Sequence, residues 1–365
     1  MIIKIKKIVP GVLLSAAIAL SGMYLSDLIG KEIMGFKKSP ISAIMVSIIL
    51  GLIIGNIIKL PEFFNEGIQF SLKFILRFGI ICLGIRLGLL DILKIGAIGI
   101  PLIILCIVSA LVIVNYLSKL IDVPSKMAAL IAVGTSICGA TAIVATGPAI
   151  NAKKEEITYA IANITIFGII AMFAYPFLAN YIFSGDELSA GLFIGTSIHE
   201  TAQVAGAGLI YAEQFNAPQS LDIATVTKLV RNTSMMIVIP LMSYLYHSKE
   251  QGNEKQKLSV FQMFPLFILG FILLGIVRSI GDYGIAISNL AFGLLDVDHW
   301  KETISVIKLT AEYSLGIAMA AVGLSTNLVS LRQLGIKPFY VGFAAALSVG
   351  VVSIIGINLI QIFIL

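Results

Sequence analysis

The sequence predicts an all-α polytopic membrane protein, and three observations predict it. Hydrophobic residues fill 58% of the 365 positions and charged residues 12%, about half the charged share of an ordinary soluble domain. The apolar runs are about 20 residues long, the length a helix needs to cross ~30 Å of hydrocarbon. They lack the period-two alternation of barrel strands, so helices are left as the way to pair every backbone N–H and C=O in lipid.

Apolar segments fall near residues 8–28, 40–58, 68–90, 97–117, 127–150, 156–182, 188–213, 220–246, 259–279, 305–330 and 338–364. That spacing predicts 10–11 transmembrane segments in a single membrane domain, 1–365. The stretch from Ile280 to Leu295 is shorter and more polar, and reads as an amphipathic piece at the interface. Lys4, Lys6 and Lys7 precede a first run too long for a signal peptide, so an uncleaved helix is expected there. With Lys249, Lys255 and Lys257 in the longest polar loop, these lysines assign the N-terminus to the cytoplasm. The formal charge of +5 is spread over loops and helix ends, so it reports topology and no nucleic acid partner. Cys82, Cys106 and Cys138 all lie within apolar runs and read as small core residues.

Two internal likenesses divide the chain into repeat-like halves, 40–182 and 188–364. Gly134-Thr135-Ser136-Ile137 matches Gly195-Thr196-Ser197-Ile198, and each is followed by small residues, a polar turn and an apolar helix ending at Pro176 or Pro240. Gly84 to Gly96 matches Gly323 to Gly335, with Pro101 and Pro338 following. Duplicated halves suit a transporter, since two pseudo-symmetric units exchange inward-open and outward-open states at similar energy. Simple helix-packing resemblance between Gly-rich segments is the alternative to duplication. The Gly134 and Gly195 segments either cross fully, running parallel, or turn back as hairpins from opposite faces.

The chemistry concentrates in those two segments. Gly134 to Pro148 is crowded with Gly and small hydroxyl residues, with the thiol Cys138 between them, as expected for a helix interrupted within the membrane. Its free backbone donors would hold an anion; a tight helix–helix contact is the alternative. The second copy adds His199, Glu200 and Gln203 in mid-segment, where ionisable groups cost several kcal/mol unless paired or wetted. His199 and Glu200 are proton-coupling candidates, or a structural cap. Lys228 and Arg231 share one face of the next helix and need an anion, either Glu200 or a transported one. Gly134, Thr135, Ser136, Cys138, Gly195, Thr196, Ser197, Lys228 and Arg231 are the substrate-binding candidates. Elsewhere, Lys308 and Glu312 are spaced to pair with each other, while Asp296, Asp298 and His299 cluster in a loop.

An enzyme is not expected. His199-Glu200-Thr201-Ala202-Gln203 falls one ligand short of a zinc-protease H-E-x-x-H, and His247 and His299 are the remaining histidines. No metal site and no cofactor are predicted.

Gly84-Ile-Arg86-Leu with Asp91, GTSICGATAI from Gly134, GTSIHETAQVAGAG from Gly195 and Lys228-Leu-Val-Arg231 together resemble the YeiH-like family of bacterial inner-membrane proteins, whose members carry a sulfate-exporter label. The family is distantly similar to bile acid:sodium symporters and sodium/proton antiporters. The resemblance implies an inverted-repeat transporter fold with two discontinuous or re-entrant helices, placed multi-pass in the bacterial plasma membrane. It would pair the Gly134 segment with the one around Gly316 to Gly323, a pairing that conflicts with the likeness to Gly195. The resulting expectation is a proton-coupled secondary transporter of a small anion, sulfate or an organosulfonate, in the lipid bilayer, with a homodimer compatible. A sodium-coupled organic anion symporter, with Glu200 and Gln203 as ligands, and a non-transporting membrane scaffold or sensor are the alternatives.

Overall fold

The computed structural model describes residues 2–34, 39, 41–247, 264–326 and 336–364. The lysines expected in the 248–257 loop and residues 327–335 of the second internal likeness lie outside the described residues. Fourteen helices can be followed among the described residues. They are α1 (Ile2–Asp27), α2 (Ala43–Ile57), α3 (Glu62–Arg86), α4 (Leu89–Leu120), α5 (Ser125–Ser136), α6 (Ala140–Ala149), α7 (Lys154–Phe183), α8 (Glu187–Ser197), α9 (Thr201–Gln214), α10 (Pro218–Thr233), α11 (Met235–His247), α12 (Phe267–Ser288), α13 (Val297–Ser325) and α14 (Ile336–Ile364). Among the described residues, seven spans of 22 to 32 residues are long and apolar enough to cross a membrane; one runs along α1 and on to Ile33, and the others lie within α3, α4, α7, α12, α13 and α14. At 1.5 Å per residue each exceeds the ~30 Å hydrocarbon layer. The all-α polytopic fold is as expected.

Two of the expected segments differ in detail. The stretch 280–295 is not an interfacial helix, because α12 continues to Ser288 and an antiparallel hairpin, β1 (Leu290–Ala291) and β2 (Leu295–Asp296), follows. The 220–246 segment divides at Ser234, whose N–H and hydroxyl both turn back to the Arg231 carbonyl.

The chain forms two compact units from interleaved stretches. One comprises Met1–Lys94, Leu209–Pro218 and Leu266–Leu328, and the other Ile95–Gly208, Gln219–Pro265 and Val329–Leu365. Both sequence halves therefore contribute to both units.

In the first unit, α13 packs along α2 and α3, and α1 along α2. Gly51 and Gly323 face each other where α2 crosses α13, and a Cβ on Gly323 would lie 2.8 Å from the Leu52 nitrogen. Small residues allow backbones this close, where dispersion and lipid release supply what apolar burial cannot. Arg77 lies over the Phe267 ring of α12 at 5.7 Å, and Glu312 reaches Arg86 at 3.5 Å. The Asp296, Asp298 and His299 cluster is the start of α13, where the Asp296 side chain accepts the N–H groups of Asp298 and His299. These bonds, the one from His299 foremost, hold the Asp296 carboxyl below the usual carboxylate range.

In the second unit both Gly-rich segments fold as helical hairpins, each built of helices too short to span ~30 Å of hydrocarbon. A Cβ on Gly134 of α5 would lie 2.7 Å from the Ile143 side chain of α6, nine residues on, so α6 folds back against α5. The open ends of this hairpin coincide, since the Lys126 ammonium donates to the Asn151 carbonyl at 3.1 Å. α8 runs parallel to α10, with Gly191 against Ser220 and Ile223 and Gly195 against Ala224 and Thr227. α9 runs the other way, since Asn232 donates to Thr201 at 3.0 Å while Gly208 lies against Leu221. So α9 returns beside α8. One long helix, α7, about 45 Å from end to end, separates the two hairpins. They therefore point into the unit from opposite ends.

Candidate functional site

The tips of the two hairpins form the candidate site. α5 stops at Ser136 and α8 at Ser197, the same position in the repeated Gly-Thr-Ser-Ile tetrapeptide. Gly139, at φ +70° and ψ −129°, makes the first turn, a conformation that excludes Cβ-bearing residues without strain. Ile198, His199 and Glu200 make the second.

Each tip thus exposes one helix C-terminus, whose last carbonyls lack partners in their own helix. Lys228 and Arg231, one turn apart on α10 and fully buried, supply those partners. Arg231 donates from Nε to Ser136 O at 2.8 Å, from Nη1 to Thr196 O at 2.5 Å and Ile198 O at 3.2 Å, and from Nη2 to Thr135 O. Lys228 Nζ donates to Ile137 O at 2.8 Å, Ile198 O at 2.9 Å and His199 O. Three acceptors around one amine use every proton of an ammonium, so the bonding matches the charged form. The expectation that Gly134–Ile137 and Gly195–Ile198 present N–H donors is corrected here. These ends present carbonyls, and the cations hold them.

The donor ends belong to α6 and α9. The Ala140 N–H, first in α6, donates to Glu200 Oε1 at 3.4 Å. Glu200 is half-buried and packs over Gly139. Among the described residues it makes no ion pair with Lys228 or Arg231, for which the sequence left Glu200 or a transported anion open as the partner; it sits on a positive helix end. Gln203 Oε1 accepts the Glu200 N–H at 3.3 Å, and its Nε2 donates to Thr165 O on α7 at 3.2 Å. Gln203 is thus a cap on α9 and a strut to α7.

The remaining candidates are distributed around this core. The Thr196 hydroxyl bonds Leu192 O at 2.7 Å and Ser353 of α14 at 2.7 Å, and Ser136 bonds its own helix. Cys138 Sγ lies 3.1 Å from Met235 Sδ. Ser197 Oγ, His199 Nδ1, Thr227 Oγ1 and Asn232 Oδ1 are buried without a hydrogen-bond partner among the described residues. Buried polar atoms are paired in the great majority of cases, so this concentration beside the tips makes them the candidate site. Sequence reasoning missed Thr227, Asn232 and Ser353. The first two flank Lys228 and Arg231, and that adjacency was the available signal; nothing in the sequence pointed to Ser353.

Comparison with known proteins gives the same class. The family described as conserved hypothetical protein 698 matches residues 10–342. The chain belongs to this family. It is 34% identical to the UPF0324 membrane protein SAG1125 of Streptococcus agalactiae over 349 residues, 96% of each chain. It is 35% identical to the UPF0324 membrane protein FN0533 of Fusobacterium nucleatum over 312 residues, 84% of this chain and 88% of that one. A UPF0324 membrane protein of Clostridium tetani is 29% identical over 96% of both chains. The YeiH-like resemblance carried by the Gly134, Gly195 and Lys228 motifs holds across the chain. No solved structure matches.

Proposed function

We propose that this membrane protein is a proton-coupled secondary active transporter of a small anion, sulfate or an organosulfonate, binding between the hairpin tips. It carries out no covalent chemistry on its cargo. The observation that carries this reading is the meeting of two oppositely directed hairpins on one pair of buried cations. Two helix C-termini and two helix N-termini contribute about −0.5 and +0.5 each and cancel. Lys228, Arg231 and an ionised Glu200 then leave about one positive charge in surroundings of Ile137, Ile198 and Met235, which are all buried. An anion neutralises it.

All three donors of Lys228 and four of the five of Arg231 are bonded to backbone carbonyls, so their main part is to supply field and hold the tips. The place for the anion is the α6 end, where the Glu200 carboxylate now accepts the Ala140 N–H. An arriving anion competes with that carboxylate, and a proton on Glu200 removes the competition. Proton and anion then move together, with His199 beside them as the relay. Opposed hairpins also fit an inverted-repeat relation between the Gly134 and Gly195 segments, as alternating access requires. Sodium coupling is the second reading: the Gln203 oxygen accepts one hydrogen bond, from the Glu200 N–H, and keeps a second lone pair that a cation could use beside Glu200.

Flux of radiolabelled sulfate and of an alkyl sulfonate into liposomes, measured across pH, tests the reading. Expected is anion uptake that rises as the outside is acidified and loses its pH dependence in Glu200→Gln. Uptake of neither anion at any pH, or a requirement for sodium, would refute it.

A further inference from the structure

Helical threonines in this protein commonly spend their hydroxyls on their own backbone. Thr196, Thr225 and Thr310 each donate to the carbonyl four residues back, at 2.7, 2.7 and 2.8 Å. Thr227, two residues beyond Thr225 on α10, does not. Its side chain is fully buried, and its Oγ1 has no hydrogen-bond partner among the described residues. A carbonyl of the preceding turn is within reach of a helical threonine in one of its two common rotamers, so Thr227 forgoes a bond that its helix offers. Leaving a buried hydroxyl unpaired is costly, which calls for a partner from outside the fold.

The space in front of this hydroxyl is open. Gly99 of α4 lies opposite, and a Cβ built on it would stand 3.7 Å from both Oγ1 and Cγ2 of Thr227 and 3.6 Å from Cδ1 of Ile103. These are ordinary contact distances, so a methyl group fits there with nothing displaced. An oxygen atom is smaller than a methyl group. Gly195 of α8 also packs on Thr227 but leaves no such room, since a Cβ there would meet the Thr227 Cβ at 2.7 Å. All of these residues belong to the second unit.

Charge and donors indicate what the space receives. Arg231 stands one turn further along the same face of α10 and holds the carbonyl of Thr196. Thr227 and Arg231 thus meet consecutive residues of the α8 tip, Gly195 and Thr196. Four of the five guanidinium N–H groups are bonded, and the fifth, on Nη2, has no partner among the described residues. Gly99, Ile103 and Thr227, which bound the space, carry no negative charge. A hydroxyl and an N–H that both lack acceptors, beside a cation, suit oxygens that bring lone pairs and negative charge. The Ala140 N–H is contested by Glu200, whereas the Thr227 hydroxyl is uncontested.

We propose that Thr227 is a ligand of the transported small oxyanion, one oxygen seating on its hydroxyl in the space beside Gly99, with Arg231 as the counter-charge. The inference rests on the transport reading above and adds a specificity-determining residue to it. Cargo that presents no acceptor there would leave the hydroxyl unpaired and be disfavoured.

The test uses the full chain in a neutral detergent, its melting temperature followed while potassium sulfate or potassium methanesulfonate is titrated. Without anion, Thr227→Val and Gly99→Ala are expected to melt no lower than wild type. Valine removes a hydroxyl that has no protein partner, and alanine fills open space in a helix that glycine weakens. With anion, both should bind about tenfold or more weakly than wild type, the worth of one hydrogen bond to a charged group, while Thr227→Ser stays within about threefold. Wild-type affinity in Thr227→Val or in Gly99→Ala would overturn this proposal alone. So would a lower anion-free melting temperature in Thr227→Val, which would assign the hydroxyl to a structural water. No stabilisation of wild type by either anion would sink the transport reading and this inference with it.

Discussion

Replacing Arg231 by Met keeps the length and volume of the side chain and removes its charge and donors. Thr135 O, Ser136 O and Thr196 O would then be left without the guanidinium, while Ile198 O keeps Lys228. Each buried acceptor left unpaired costs about 1–3 kcal/mol, so the three sum to roughly 3–9 kcal/mol. Partial opening of the tips to water brings the loss toward the lower part of that range, about 3–5 kcal/mol, the usual cost of removing one partner of a buried charged group. Arg231→Lys keeps the charge but offers three donors on a shorter stem for acceptors on both hairpins, and should lose about 1–3 kcal/mol. If the hairpin unit, of roughly 200 residues, melts cooperatively, the Met variant should melt about 6–20 °C below wild type, with the Lys variant between them. Scanning fluorimetry in detergent gives the order directly. A Met variant melting within about 2 °C of wild type would show that Arg231 does not hold the tips together.

Other outcomes follow from the same geometry. Single cysteines at Lys126 and Asn151 should both react with an impermeant maleimide from the same side of sealed vesicles; labelling from opposite sides would exclude the first hairpin. Gly139→Ala places a Cβ in a backbone region closed to it and against Glu200, and should cost about 1–3 kcal/mol in a melting experiment. Glu200→Gln keeps the shape of the side chain but removes the competing charge, so anion binding measured by ligand-induced stabilisation should become independent of pH. Asp296 is held below its usual range by bonds made on folding, so its contribution to stability is full above the unfolded carboxylate pKa and lost as pH falls through the lower folded one. Asp296→Asn should therefore flatten the acid limb of the melting profile.

Much of this site is visible in the residues alone. Both copies of Gly-Thr-Ser-Ile end a helix at their Ser, and a run of small residues around a polar turn makes that legible. Lys228 and Arg231 are legible for the opposite reason, since no cation stays at that depth without acceptors. Which acceptors they meet is not legible. Whether a tip shows the N–H or the C=O end of a helix depends on which arm of the hairpin carries the motif, and residue type does not record chain direction. The split of 280–295 into the end of α12 and a β-hairpin was hidden for a related reason. Ile287, Leu290 and Leu294 have the spacing of a helix face, and only the turn at Asn289, Phe292 and Gly293, all at positive φ, breaks it. The interleaving of the two units depends on long-range contacts that local pattern does not encode.

Both cations stand on a single helix, one turn apart, and each grips both hairpins. Under the proposed transport cycle, α10 would serve as a shared axle, since any slide or tilt of it would pull on both hairpin tips through the same two side chains. Loosening one hairpin by that route would load the other, a coupling that would oppose a continuous leak.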